Sequence, residues 1–114
     1  MKRGLVGVLL GVMLTARMGV LHNAETGFTE TWYNLPMQKV VDRAASQGLS
    51  GDYWERADNM KMYGKYIIVA ADWTLHPYGT EIETSRGLGL VLDTHTAKDR
   101  ALVDIATTWQ KGKK

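Results

Sequence analysis

The 114-residue chain has no cysteine, only two prolines and a single phenylalanine. Without cysteine there is no disulfide frame, no thiolate nucleophile and no cysteine-based metal site, so stability rests on packing alone. With proline confined to positions 36 and 77, no proline-rich linker or low-complexity segment divides the chain, and no internal repeat is visible. Charge of one sign is also scarce, since the formal net charge is +2. No basic stretch is interleaved with aromatics, which argues against a nucleic-acid partner. The excess positive charge sits partly at the ends, in Lys2 and Arg3 and in Lys111, Lys113 and Lys114. Such ends are ordinarily solvated, with an approach to anionic wall polymers or lipid as the functional alternative. The three histidines, His22, His76 and His95, show no ligand-like spacing, so neither a metal nor another cofactor is expected.

Long apolar runs are limited to one place. Met1-Lys2-Arg3 precedes GLVGVLLGVMLTA at 4–16, a basic start and a short apolar run of the secretory-signal kind. Arg17 ends the run well short of the about 20 apolar residues that a bilayer span needs. Ala16 and Ala24 are the nearest processing positions. Residues 1–24 are therefore expected to be a signal peptide or membrane anchor, either of which puts the rest outside the cytoplasmic membrane, secreted or anchored, with a buried core element as the remaining alternative.

What is abundant points to strands and turns: twelve glycines, five tyrosines and four tryptophans. Residues 25–63 read as a leader containing one helix and a hairpin. In NLPMQKVVDRAASQG, Met37, Val40, Val41 and Ala44 share one helical face, Asn34 is placed to cap, and Gly48 suits the stop, giving a helix over 35–47. Tyr53–Arg56 and Met60–Tyr63 flank Asp58-Asn59, a turn-forming pair. Tyr66–Ala71 reads as a strand buried on both faces, Thr80–Thr84 alternates, and Leu88–Leu92 and Leu102–Ala106 are further strands. Gly87 and Gly89 allow a bend or a close approach. Short strands separated by turn residues suggest a small β-barrel over 64–114.

Three carboxylates stand out. Asp72 closes YIIVAAD, Asp93 closes GLGLVLD, and Asp104 lies inside LVDIA. One aspartate after a strand is ordinarily a turn-former. Three in such settings within a short stretch suggest a shared groove.

AADWTLHPYGTEIET and LGLVLDTHTAKDRALVDIATTW together resemble the three-aspartate (3D) domain found in peptidoglycan lytic transglycosylases. In that family an aspartate precedes a Pro-x-Gly-Thr loop, here Asp72, Pro77, Gly79 and Thr80. An Asp-Thr-Gly-Gly-Ala segment and a final strand aspartate follow, matched by Asp93, Thr94, Ala97 and Asp104. The resemblance covers about residues 64–109, and the preceding stretch is similar to leaders found before this domain. It implies a six-stranded double-psi β-barrel with one preceding helix. It also implies cleavage of the β-1,4 bond between N-acetylmuramic acid and N-acetylglucosamine, leaving a 1,6-anhydro ring. The implied partner is the peptidoglycan glycan strand, and the chain is expected to be a monomer.

Such chemistry suits one carboxylic acid, which protonates the bridging oxygen and then takes the proton of the attacking C6 hydroxyl. By this resemblance Asp93 is the expected acid/base, with Asp72 or burial raising its proton affinity and Asp104 positioning the groove. Thr80 and Thr94 are expected to orient a carboxylate or bind sugar hydroxyls. Trp73, next to Asp72, is expected to offer a stacking face, although core filling is the ordinary role of tryptophan in a small domain. The family's Gly-Gly is replaced by His95-Thr96, which adds bulk and makes His95 either a second titrating group or a plain loop residue. The competing reading is a wall-binding or wall-loosening module that resembles expansin-like barrels and cuts nothing.

Overall fold

The computed structural model describes residues 19–95 and 97–109. Most of the expected signal or anchor segment lies outside these residues. The fold is mainly β, an open mixed sheet with one helix. Its strands are β1 (Leu21–His22), β2 (Thr29–Tyr33), β3 (Tyr53–Glu55), β4 (Lys61–Tyr63), β5 (Tyr66–Ala71), β6 (Glu81–Thr84), β7 (Gly87–Thr94) and β8 (Leu102–Ala106). The helix α1 spans Gln38–Ser46. No helix among the described residues is long and apolar enough to cross a membrane.

β5 is the hub. One edge pairs in parallel with β7 over its whole length. Its other edge is shared end to end, with β4 antiparallel to its start and β8 antiparallel to its end. β2 adds to β8 in parallel and β1 to β2 antiparallel, while β6 closes on β7 as a hairpin. Strands from both sides of residue 63 therefore share one sheet.

The expected burial of β5 on both faces is seen, and it separates two apolar clusters. Ile67, Val69 and Ala71 meet Trp32, Met62, Ile82, Val91, Val103 and Ile105 on one face. Ile68 meets Met37, Ala44, Leu90, Leu92 and Ala106 under α1 on the other, where Val40 and Val41 also pack. The helical face read from the sequence is thus the face that docks. Gly48, at φ +84°, ends the helix as expected.

The start of α1 corrects the sequence reading. Met37 occupies the N-cap and no side chain caps the helix. Asn34 is engaged elsewhere, its Oδ1 accepting from Lys61 Nζ at 2.6 Å and its Nδ2 donating to the Thr108 carbonyl at 3.1 Å. A buried lysine that needs acceptors outcompetes a cap.

Gly89 supplies close approach, as expected. A Cβ there would lie 2.6 Å from Val69 Cγ2 and 3.3 Å from the Ile82 carbonyl oxygen. The missing side chain lets β5, β6 and β7 sit at normal strand spacing.

Residues 19–24, the described end of the expected signal peptide or membrane anchor, are tied to the sheet. Leu21 and His22 pair with Glu30 and Thr29. Asn23 then turns the chain, its Oδ1 accepting from the Glu25 and Thr26 amides, and its Nδ2 donates to Glu30 Oε2 at 3.0 Å. Glu30 is fully buried and accepts as well from the amide and hydroxyl of Ser85. A cut after Ala24 would remove a strand and one of the donors to a buried carboxylate.

Candidate functional site

Two of the three aspartates come to one row of the sheet. Ala70 on β5 is paired on one side with Asp93 of β7 and on the other with Asp104 of β8. Thr31 of β2 continues the row beside Asp104. The Asp93 and Asp104 Cα atoms therefore stand about two strand spacings apart, roughly 10 Å. The alanine between them adds almost no bulk.

A bulge makes this row. Val69 pairs with Val91, yet Ala70 pairs with Asp93, so Leu92 is an extra residue in β7. Side chains alternate along a strand, and one inserted residue reverses the faces beyond it. In unbroken register Asp93 would share the face of Val91, in the cluster opposite α1. The bulge turns it to the helix-covered face, where Tyr33 Oη donates to its Oδ2 at 2.8 Å. Asp93 Oδ1 accepts from the Thr94 amide at 2.9 Å.

Asp104 is half-buried on β8 and accepts from Thr31 Oγ1 at 2.9 Å. Burial raises its pKa above the usual carboxylate value. The Thr31 bond and nearby His95 act in the opposite sense, and neighbouring Asp93 adds to the rise. Tyr33 keeps its proton far into alkali, because it is buried and both aspartates oppose a phenolate beside them. Tyr33 is thus a fixed donor between two acids.

Asp72 is placed differently. It is buried just past β5, and its Oδ1 accepts from the amide and hydroxyl of Thr74 at 2.9 and 2.6 Å. Its Oδ2 lies 3.5 Å from the exposed Lys98 ammonium and has no hydrogen-bond partner. The Thr74 bonds, with help from Lys98, hold its carboxyl below the usual range. Asp72 therefore also serves as the turn-former of the 72–76 loop, whose Leu75 and His76 amides bond its carbonyl.

The expected ligand-binding residues divide. His95 joins the row: its field is felt by Asp104, Nε2 lies 3.4 Å from the Leu102 carbonyl, and Nδ1 is buried with no partner among the described residues. Thr94 is exposed beside Asp93. Thr80 turns back on its own loop, donating to the Pro77 carbonyl at 2.6 Å. Trp73 is tied to the row by its Nε1 bond to the Asp93 carbonyl at 2.8 Å. Its ring carries the Arg43 guanidinium 5.4 Å from its centroid and meets Tyr78 edge-on. A sugar stacking on the Arg43 side would have to displace that arginine. Thr96 lies outside the described residues.

Thr31 and Tyr33 were missed from sequence. The signal was present in TETWY, where Glu30 and Trp32 alternate with Thr31 and Tyr33. The parallel pairing that sets Thr31 beside Asp104 joins residues 73 positions apart. Among the described residues, no group of three or more His, Asp or Glu side chains is placed to hold a metal ion.

Comparison with protein-family models, with curated proteins and with solved structures finds no match for this chain. The fold and the row of acids are therefore the ground for any functional reading.

Proposed function

We propose that the chain cleaves peptidoglycan glycan strands outside the cytoplasmic membrane, as a lytic transglycosylase, with Asp93 and Asp104 as its acid/base pair. The observation that carries this is the bulge that brings Asp93 onto the face of Asp104, whose proton affinity is raised by burial. A carboxyl whose burial favours its protonated form, with a second acid beside it on the same face, can protonate a bridging glycosidic oxygen. The same pair can then accept the proton of the attacking C6 hydroxyl, so no water nucleophile is required. Tyr33 fixes one oxygen of Asp93 and leaves the pair aligned. Asp104, expected from sequence to position the groove, becomes a partner in proton transfer. Asp72, expected to raise the proton affinity of Asp93, is assigned to holding the 72–76 loop.

The proposed fold is the double-psi barrel. Three features support it. One apolar cluster draws side chains from six strands, β2, β4, β5, β6, β7 and β8. Glu30 on β2 also bonds Ser85 at the β6–β7 turn, although these strands are four spacings apart in pairing order, about 19 Å if the sheet were flat. The sheet must curl around that cluster. The two parallel pairs, β2 with β8 and β5 with β7, give the repeated crossing that such barrels need.

The test is mass spectrometry of purified peptidoglycan incubated with the full chain. Anhydro-ended muropeptides that disappear in both Asp93→Asn and Asp104→Asn support the proposal. Reducing-end products would make the protein a hydrolase. A wall-binding module without cleavage is favoured by one observation, the engagement of Asp72 with Thr74 and Lys98. Retention of the protein on the wall pellet with no soluble product would establish that reading.

A further inference from the structure

A second recess lies away from the acid row, between the start of α1 and the β3–β4 hairpin. It has a volume of about 340 Å³ and is lined by Pro36, Met37 and Val41 on its apolar side and by Tyr53, Glu55 and Lys61 on its polar side. Two exposed aromatics, Tyr53 and Trp54, stand on the hairpin that forms its rim.

Lys61 is the unusual member. It is 5% exposed, and its ammonium donates to two neutral acceptors, Asn34 Oδ1 at 2.6 Å and the Leu35 carbonyl at 2.7 Å. An ammonium has three N–H groups. The third has no acceptor among the described residues, and no carboxylate lies within ion-pair distance of Nζ. A buried charge without a counter-charge is costly, and a fold retains one more readily where an anion completes it. Burial accordingly lowers the Lys61 pKa, opposed only by the field of Glu55.

Two further groups define what fits. Among the described residues no side chain caps α1, so its first turn carries positive partial charge at the end of the recess lined by Met37 and Gln38. Glu55 is paired across the hairpin with Lys61, and its carboxylate is bonded only by Tyr53 Oη, at 2.7 Å. The recess thus offers a cationic end, a nearby carboxylate and an apolar floor between aromatic and aliphatic side chains.

We infer that this recess binds a short peptide through its free carboxylate and ammonium, the carboxylate at Lys61 and the ammonium at Glu55. A saccharide would use the aromatic rim but would leave the buried ammonium uncompensated. A simple anion would be repelled by Glu55. Tyr33 bonds Asp93, Asn34 and Leu35 hold Lys61, and Pro36 and Met37 line the recess, so one short segment joins the two places. Four residue steps span at most about 14 Å.

The test is an NMR titration of the full chain with alanyl-alanine, run in parallel with its N-acetylated and C-amidated forms. The expected result is shift changes at Tyr53, Glu55 and the first amides of α1. Affinity should fall about tenfold or more when either end is blocked, the loss typical of one charge-assisted bond. Glu55→Gln should match the effect of blocking the amine, and Lys61→Met that of blocking the carboxylate. Blocking the ligand needs no protein variant, so a misfolded Lys61→Met chain leaves the test intact. Equal binding of blocked and free peptides, shifts confined to other regions, or no binding would overturn the inference. Asp93→Asn should leave the titration unchanged, so loss of glycan cleavage and loss of peptide binding are read separately.

Discussion

Glu30 and Asp104 are both carboxylates carried on strands in the sheet interior, and they do opposite things. Glu30 is fully buried and surrounded by donors: Asn23 from the β1 turn, and both the amide and the hydroxyl of Ser85. Asp104 is less buried, yet it has one side-chain donor, Thr31, and an acidic neighbour, Asp93. Burial depth does not separate a structural acid from a reactive one here. Satisfaction does. A carboxylate that accepts from several fixed donors is a clamp, and one that is short of donors and close to another acid is poised to move a proton.

The largest effect that sharpens this contrast is on catalysis. Asp93→Asn and Asp104→Asn should each reduce anhydro-product formation by about 10²- to 10⁴-fold, the usual worth of a positioned acid or base. Product yield by mass spectrometry checks it, and retained activity in either variant would remove that residue from the pair. Glu30→Ala should do the reverse, acting on stability. It empties a fully buried position and takes away the acceptor that ties the Asn23 turn to Ser85, at a cost of about 3 kcal/mol. Urea denaturation measures the loss. Truncation after Ala24, which removes β1 and Asn23, should weaken the same clamp by a smaller amount.

Gly89→Ala comes next, at about 2 kcal/mol, because the added methyl drives into the stiff, buried Val69 and toward the Ile82 carbonyl. It should lower the denaturation midpoint with no change in which products form. Tyr33→Phe should be milder, about 1 kcal/mol for one hydrogen bond. Its diagnostic sign is a displaced pH profile of cleavage, since Asp93 loses a fixed donor.

The smallest effect is the pH dependence of stability. The folded pKa of Asp104 is raised, so folding binds its proton more tightly than the unfolded chain does. Its favourable contribution is complete below the unfolded value of about 3.9 and is lost as pH rises through the folded value. Asp72 has the opposite sign: its lowered pKa favours folding above the unfolded value, and that gain is lost as pH falls. Denaturation at a series of pH values should show Asp104→Asn removing a decline toward neutral pH and Asp72→Asn removing a decline toward acid. An unchanged profile in Asp104→Asn would mean that its burial carries no penalty.

Much of the local structure was legible in the sequence because it depends on local pattern. The apolar face of Met37, Val40, Val41 and Ala44 packs as its spacing implies, and the Asp58-Asn59 turn joins β3 to β4 with Asn59 at φ +74°. Long-range pairing was not legible. Nothing near Thr31 says that its neighbour will be Asp104, and the use of Asn34 depends on Lys61 arriving from another strand. The bulge was hidden for a different reason. In GLGLVLDT the residues Leu90, Val91 and Leu92 are all apolar and all buried, so the break in alternation leaves no mark in composition. Asp93 could be picked out as a strand-end carboxylate, but the face it occupies could not.

That bulge makes the site depend on residue count more than on residue identity. Replacing Leu92 with another apolar residue should keep Asp93 beside Asp104, since the extra position would remain. Gaining a single codon between Val91 and Asp93 would set the acid opposite Ala71, on the other side of the sheet, while changing the composition hardly at all. For this chain, the mutation that most cleanly separates folding from chemistry is therefore an in-frame insertion, a kind of change that scanning by substitution never samples.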